Sequence, residues 1–398
     1  MLSHIVKRGV ARLQAASPEY IAKLQQDAEL YENAGPGMEV NPQEALPVLI
    51  TGLIVLLILA SIRYTLGDVV ASLAMIESSS PAIVEPKLPA YTDEEPLIPA
   101  DSEAGADIES TGTNVKPITA RLSTTMRHLR SVGGFRARWR GLGISMLYHF
   151  AHTVLASILS RTLGVSLLGG VLVSIVSSVL LARVHMLWTH TMIAYPTTKS
   201  FLHRMVPLKE CKPLLLPSLV FAAAQQATFL LPLAVAVLLD LPSMPEHALH
   251  AAQHDEPAKL ALLALRILAV PATAATLALA VLLPASITLT RIEAALLPAD
   301  AQPIVPFDRA ALVGSIDLAA RGGATALFAA AWRSVDRAVR LRLVKLYAKM
   351  VFAQLLLAVL GLQIMAAEVY VIGGERLAIF FTSARAQLEL MAIGAPQN

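Results

Sequence analysis

Four histidines are the residues best suited to chemistry in this chain. His149 and His152 stand three apart, on one face of any helix that carries them, and His185 and His190 follow with Trp188 between them. Imidazoles so placed could ligate a haem iron. A c-type haem attachment needs two cysteines, and the chain has one, Cys211. His247, His250 and His254 with Asp255 have the composition of a metal site, but they fall in a polar linker, where such side chains are ordinarily solvated. Cys211 lies in Lys-Glu-Cys-Lys-Pro. A nucleophilic thiol needs an activating base and an oxyanion site, and its neighbours offer neither. A single cysteine also excludes an internal disulfide and a cysteine metal cage. The expectation is no catalytic residue, no metal and no cofactor, and therefore no enzyme.

The elements that must position these groups are apolar. Hydrophobic residues make up 55% of the 398 and charged residues 15%, against roughly 25% charged in soluble domains. Apolar runs long enough to span a bilayer fall at about 45–66, 142–163, 165–188, 213–239, 259–284 and 343–368. Backbone groups in lipid must be satisfied internally, so these are expected to be helices. Pro217, Pro232 and Pro271 would kink theirs. The fold class expected is all-α, integral membrane, with six transmembrane helices. The second, fourth and sixth runs place His149, His152, Gln225, Gln226 and Gln354 at mid-depth. Such groups either line a cavity or hydrogen-bond between helices, the latter worth about 0.6 kcal/mol each.

The basic residues are one-sided. Arginines crowd the stretches after the first and fifth runs, and Lys199, Arg204, Lys209 and Lys212 follow the third, while the other connections hold few. By the positive-inside rule these loops share one face, cytosol or matrix. Arg333, Arg337, Arg340, Arg342 and Lys345 lead into the sixth run. They are expected to lie on anionic headgroups, or else to form an anion-attracting vestibule, with Trp332 anchoring at the interface. The bilayer, with anionic lipids, is the expected partner; nucleic acid is not, and no protein partner is indicated. Residues 1–17 contain no acid and look like a mitochondrial targeting helix or a surface helix. Residues 78–116 are Pro-, Ser- and acid-rich and read as disordered, and 240–258 as a second linker.

The ends of the odd runs overlay at equal spacing: DVVASLAMIE from Asp68, VSSVLLARVH from Val176 and PASITLTRIE from Pro284. Each ends in an aliphatic residue and a polar one, Ile76-Glu77, Val184-His185 and Ile292-Glu293. Before the even runs stand Trp139-Arg140-Gly141 and Trp332-Arg333-Ser334. Three such helix pairs resemble the mitochondrial carrier family. That family's odd helices end in a proline–acid–base motif, matched here at Pro284, Thr290 and Arg291, with Glu293 where glutamine is usual. The aromatic–basic–glycine element matches fully at Trp139, Arg140 and Gly141, and at Trp332 and Arg333 without its glycine. The resemblance implies an N-terminal segment 1–44 and a membrane domain 45–398. Within the latter, the repeats run about 45–163, 165–240 and 259–370, followed by a tail 371–398.

The departures are specific. The family's gate charges would fall at Val70, Leu73, Ser178, Leu181, Ser286 and Leu289, none of them ionisable. The second gate, at the even-helix ends, has Asp240 and Glu368 but no bases after them. Alternating access needs contacts that differ between two states. The expectation is a carrier-like fold, in an inner or outer mitochondrial membrane, with a structural, adaptor or insertase-like role. The alternatives are a transporter, for instance of an anionic metabolite, with an unusual gate, and an unrelated six-span endomembrane protein.

Overall fold

The long apolar runs have no polar stripe to turn toward water, and in the computed structural model they are helices. The structure describes residues 18–33, 45–78, 117–241, 244, 257–314, 316–318, 320 and 322–393. Among them there is no strand, only an isolated antiparallel bridge between Ala194 and Pro303. The expected targeting helix, nearly all of the acidic loop and the His247, His250, His254, Asp255 cluster lie outside the described residues.

The helices are α1 (Pro18–Asn33), α2 (Leu46–Ile62), α3 (Ala71–Ile76), α4 (Leu122–Gly133), α5 (Leu142–Leu163), α6 (Leu167–Leu180), α7 (Ala182–Ile193), α8 (Leu215–Leu238), α9 (Pro257–Leu277), α10 (Leu283–Ala295), α11 (Arg309–Val313), α12 (Gly323–Arg333) and α13 (Arg337–Ile393). Among the described residues, five helical stretches are long and apolar enough to cross a membrane: Leu46–Ile76, Phe135–Leu163, Leu208–Leu238, Pro257–Ala295 and Arg337–Gly374. The bent pair Leu168–Leu180 and Ala182–Ile193 makes a sixth if counted as one span. α2 buries no side chain at all, and Leu49, Leu53, Leu56 and Leu57 stand exposed along it. A helix with that surface needs an apolar solvent. The fold is therefore all-helical, with the five or six apolar helices of an integral membrane protein.

All three odd spans depart from straight α geometry. Arg63–Val70 and Ala278–Leu282 are π-helical stretches within the first and fifth. The third, expected as one run over 165–188, bends by 57° between α6 and α7. Just before the bend Ser178 Oγ donates to the Ser174 carbonyl at 3.0 Å, and Leu181, at φ −92° and ψ 6°, leaves helical geometry. Two of the three expected proline kinks are interior, with Pro232 and Pro271 inside α8 and α9. Pro217 falls in the first turn of α8, where no intrahelical bond is lost. α5 ends as its sequence directs: Gly164, at φ 56°, turns left-handed and donates to the Arg161 and Ser160 carbonyls.

Packing divides the chain into two units. One comprises Tyr64–Leu231 and Ala274–Lys349. Its core joins Leu73, Ile76, Leu129, Ile193, Ile287 and Leu343, all nearly inaccessible. The other comprises Met1–Arg63, Pro232–Thr273 and Met350–Asn398. Residues 371–393 of the expected tail are helical: α13 continues to Ile393 through a backbone break at Gly374. The extension has an apolar face for α1, where Leu24 packs with Ala386 and Leu390. Ser383 Oγ donates to the Ala28 carbonyl at 2.5 Å.

Candidate functional site

Helices α3, α7 and α10 pack on one another pairwise. These are the ends of the three odd spans, and their apolar positions close the junction: Val69, Leu73 and Ile76, Ala182 and Met186, Ile287 and Ile292 are all buried. Within that packing sits a set of charges. Glu77, 1% exposed, accepts from the Ile118 and Thr119 amides at 2.5 and 3.0 Å and from Thr119 Oγ1. Arg342 Nη1 reaches the same carboxylate at 3.2 Å. Arg342 Nη2 also donates to the Ala74 and Glu77 carbonyls at 3.1 and 3.2 Å. Arg291 Nε donates to the Met75 carbonyl at 2.8 Å. Two guanidinium groups thus satisfy the carbonyls that the last turn of α3 leaves open.

Arg291 extends the tie, since its Nη1 donates to Ser334 Oγ at 2.7 Å and to the Ser334 carbonyl. Glu293, fully buried, accepts from His185 Nδ1 at 2.7 Å. His190 Nε2 donates to the Glu293 carbonyl at 2.7 Å. The chain after α10 is fastened in the same way. Ile304 and Tyr195 exchange backbone bonds with Ile193 and Gln302. Ser78 N donates to the Pro306 carbonyl, and His128 Nε2 to the Ile304 carbonyl at 2.7 Å.

A second joint lies before α5. Tyr64 OH donates to the Arg140 carbonyl at 2.7 Å and accepts from Trp188 Nε1 at 3.1 Å. Gly141, at φ 79°, has Trp188 Cδ1 and Tyr64 OH 3.1 and 3.3 Å from where a Cβ would stand. A side chain there would meet both strain and contact, so the glycine of the aromatic–basic–glycine element is a packing requirement. Trp139 meets Phe135 edge-on, and Arg138 lies over both rings. Trp332 stacks on Phe328.

Of the mid-depth polar residues, His152 and Gln226 meet at one residue, Ser174. His152 Nε2 lies 3.2 Å from the Ser174 carbonyl and 3.1 Å from Ser178 Oγ. Gln226 Nε2 donates to Ser174 Oγ at 3.0 Å. Gln354 Nε2 donates to the Leu59 carbonyl at 3.5 Å. His152, Gln226 and Gln354 thus each bond to an odd span, the interhelical use weighed above. His149 makes edge contacts with Tyr148 and Trp188, and Gln225 is exposed. Arg333, Arg337, Arg340 and Lys345 are exposed. Arg342 leaves that set, because its guanidinium is committed to Glu77 and the end of α3. Pro284 opens the first turn of α10, and Thr290 Oγ1 approaches Met75 Sδ at 3.4 Å.

Sequence reasoning passed over Tyr64 and Thr119, and named Ser334 only as the residue standing where the aromatic–basic element has its glycine. Tyr64 and Thr119 carry no charge or motif, and all three matter through a partner far along the chain. Among the described residues no group of His, Cys, Asp and Glu is arranged to hold a metal. Comparison of the chain with family models, with curated proteins and with solved structures gives no match.

Proposed function

We propose that this is a multi-pass membrane protein of carrier-like build, acting in a mitochondrial membrane as a structural, adaptor or insertase-like component rather than as a metabolite exchanger. The observation that carries the reading is the tie at the odd-span ends. Glu77, His185 and Glu293 occupy equivalent places in the overlaid segments, and all three are engaged at one packed junction. The ties are of a fixing kind. Arg291 and Arg342 bind backbone carbonyls, which do not move independently of their helix, and Glu77 also holds the 118–119 backbone. Opening this end would strip several charge-assisted bonds together, each worth about 1.5–3 kcal/mol.

The same residues favour a second reading. Glu77–Arg342 and His185–Glu293 could serve as displaced gate pairs in a transporter of an anionic metabolite, replacing the motif charges the sequence lacks. Reconstitution into liposomes separates the two. The structural reading expects no saturable exchange across a panel of labelled carboxylates and phosphates. Specific counter-exchange that saturates would overturn it and establish the second. Imaging a tagged copy tests the membrane: mitochondrial labelling is expected, and endomembrane labelling would remove the carrier-like assignment.

A further inference from the structure

The two buried acids of the odd-span junction are answered by bases of different kinds. Glu77 has Arg342, whose guanidinium stays charged at any working pH. Glu293 has His185, with Nδ1 2.7 Å from Oε1. Imidazole is the side chain whose charge changes near neutrality. The Glu293 side chain is wholly inaccessible, whereas that of His185 is 16% exposed and can trade a proton with solvent.

The groups around this pair supply no second base to the carboxylate. α5 brings Tyr148, edge-on to His185 at 5.4 Å between ring centres, and His149, edge-on to Trp188. α8 brings the Phe221 ring. α3 and α6 have no ionisable side chain, and Asp68, ahead of α3, adds a negative charge that acts on His185 through space. Residues 208–214 carry Lys209, Glu210 and Lys212, all exposed. On α7 itself, Arg183 Nε donates to the Val206 carbonyl and His190 Nε2 to the Glu293 carbonyl. On α10, Arg291 is committed to Met75 and Ser334. Of the helices packed on α10 from the other side, α11 has Arg309 on the Leu297 carbonyl and α12 has the exposed Arg333. Glu293 Oε2 has no hydrogen-bond partner among the described residues.

With one proton the pair is neutral overall. Without it a wholly buried carboxylate stands uncompensated, and with two a buried imidazolium does. The hydrogen bond from Nδ1 survives deprotonation, but the balance of charge does not. Apart and solvated, the two groups release the shared proton above about pH 6.5 and take up a second below about pH 4.3. Above about pH 6.5 the closed joint therefore holds one proton more than the open one, and closure weakens by up to about tenfold per pH unit. We propose that His185 and Glu293 form a proton-dependent latch between α7 and α10, closed while the pair holds one proton and released toward alkaline pH. Glu77–Arg342 is its pH-indifferent counterpart and keeps the junction assembled. The latch does not depend on the role proposed above, since it serves a scaffold and an exchanger alike.

Cys211 reports on this joint in the natural chain. It is the sole cysteine, is buried, and packs with Ala182 and Met186 of α7 and Leu289 of α10. Met186 follows His185, and Leu289 stands one turn before Glu293. Full-length protein in neutral detergent is alkylated with iodoacetamide from about pH 5.5 to 8.5, across the imidazole range. Dividing the rate for the chain unfolded in dodecyl sulfate by the native rate at the same pH gives a protection factor and cancels thiol ionisation. Protection is expected to stay level to about pH 6.5 and then to fall by up to about tenfold per unit. His185→Gln with Glu293→Gln keeps two hydrogen-bonding side chains without charge, and flattens the profile. Glu293→Gln alone is flat above about pH 6.5 and loses protection on the acid side instead, where a buried imidazole must stay neutral; it replaces the double variant if that unfolds. His149→Gln, on a neighbouring ring, keeps the parent profile. The proposal is overturned if the parent's protection does not fall above that pH, if the folded glutamine variants keep the parent's slope, or if His149→Gln abolishes it.

Discussion

Around Glu77 and Glu293 the chain turns its charges inward; where the first and last spans meet, it uses almost none. In the first region Glu77, Glu293 and Arg291 are buried against helix ends, with Arg342 and His185 mostly so. In the second, α2 and α13 touch through Gly361 against Val55 and Gly52 against Met365. Their polar contacts there include Thr51 Oγ1 to Glu368 at 2.6 Å and the long Gln354–Leu59 bond. Lipid is as apolar as these side chains, so burial between spans gains little and close approach at small residues does the holding. At the odd-span ends the helix termini present open carbonyls that require donors. One region is held by chemistry specific to a few residues, the other by shape.

The sharpest way to break that comparison is to remove one side of a buried pair. Glu77→Ala leaves Arg342 and the 118–119 amides without their acceptor, and Arg342→Ala strands Glu77 and the α3 carbonyls. Each is expected to lower stability by roughly 3–5 kcal/mol, because an uncompensated charge stays buried. Unfolding in detergent, followed by fluorescence or scanning calorimetry, measures it. The double variant should lose less than the sum of the two, the signature of direct coupling. Additive losses would mean that the two residues act separately and that the junction is ordinary packing.

How much of this was legible differs between the two regions. The spans were visible as apolar runs; α5 covers the expected 142–163 without adjustment. The bend at Leu181 was hidden, since no proline or glycine stands at it and the run stays apolar on both sides. Arg342 was grouped with the headgroup arginines because it falls in a basic run. Yet it lies five residues beyond Arg337, about 140° round a helix, so helical spacing separates it from Arg337, though not from Lys345, three residues on. Glu293 was singled out as a variant of a motif, but its contact with His185 spans 108 residues. The overlay had aligned these two positions as equivalents, and equivalence does not announce contact.

The shape-held region is tested by Gly361→Ala. The added Cβ would stand 2.8 Å from both Val55 methyl carbons, and two helices must move apart or a side chain must leave its rotamer. A loss of about 1–3 kcal/mol is expected, read from the same unfolding curves. Val55→Ala should recover most of it in the double variant, because the clash disappears with the methyls. Failure of that rescue would locate the strain elsewhere on α13 and weaken the claim that close approach holds these spans.

The smallest effect should come from the polar contact in that same region. Thr51→Val keeps the side-chain volume while removing the donor to Glu368. Glu368 Oε2 has no partner among the described residues, so the variant leaves both carboxyl oxygens unanswered by this contact. Even so, interhelical hydrogen bonds in bilayers average about 0.6 kcal/mol and reach about 1.7, since the separated helices find other partners. Gln354→Leu, removing a 3.5 Å bond, should fall at or below the lower value. A Thr51→Val loss rivalling that of Glu77→Ala would reverse the comparison. It would make Glu368 an anchored intramembrane acid of the same weight as Glu77, and the first and last spans a second chemically specified joint rather than a close-packed one.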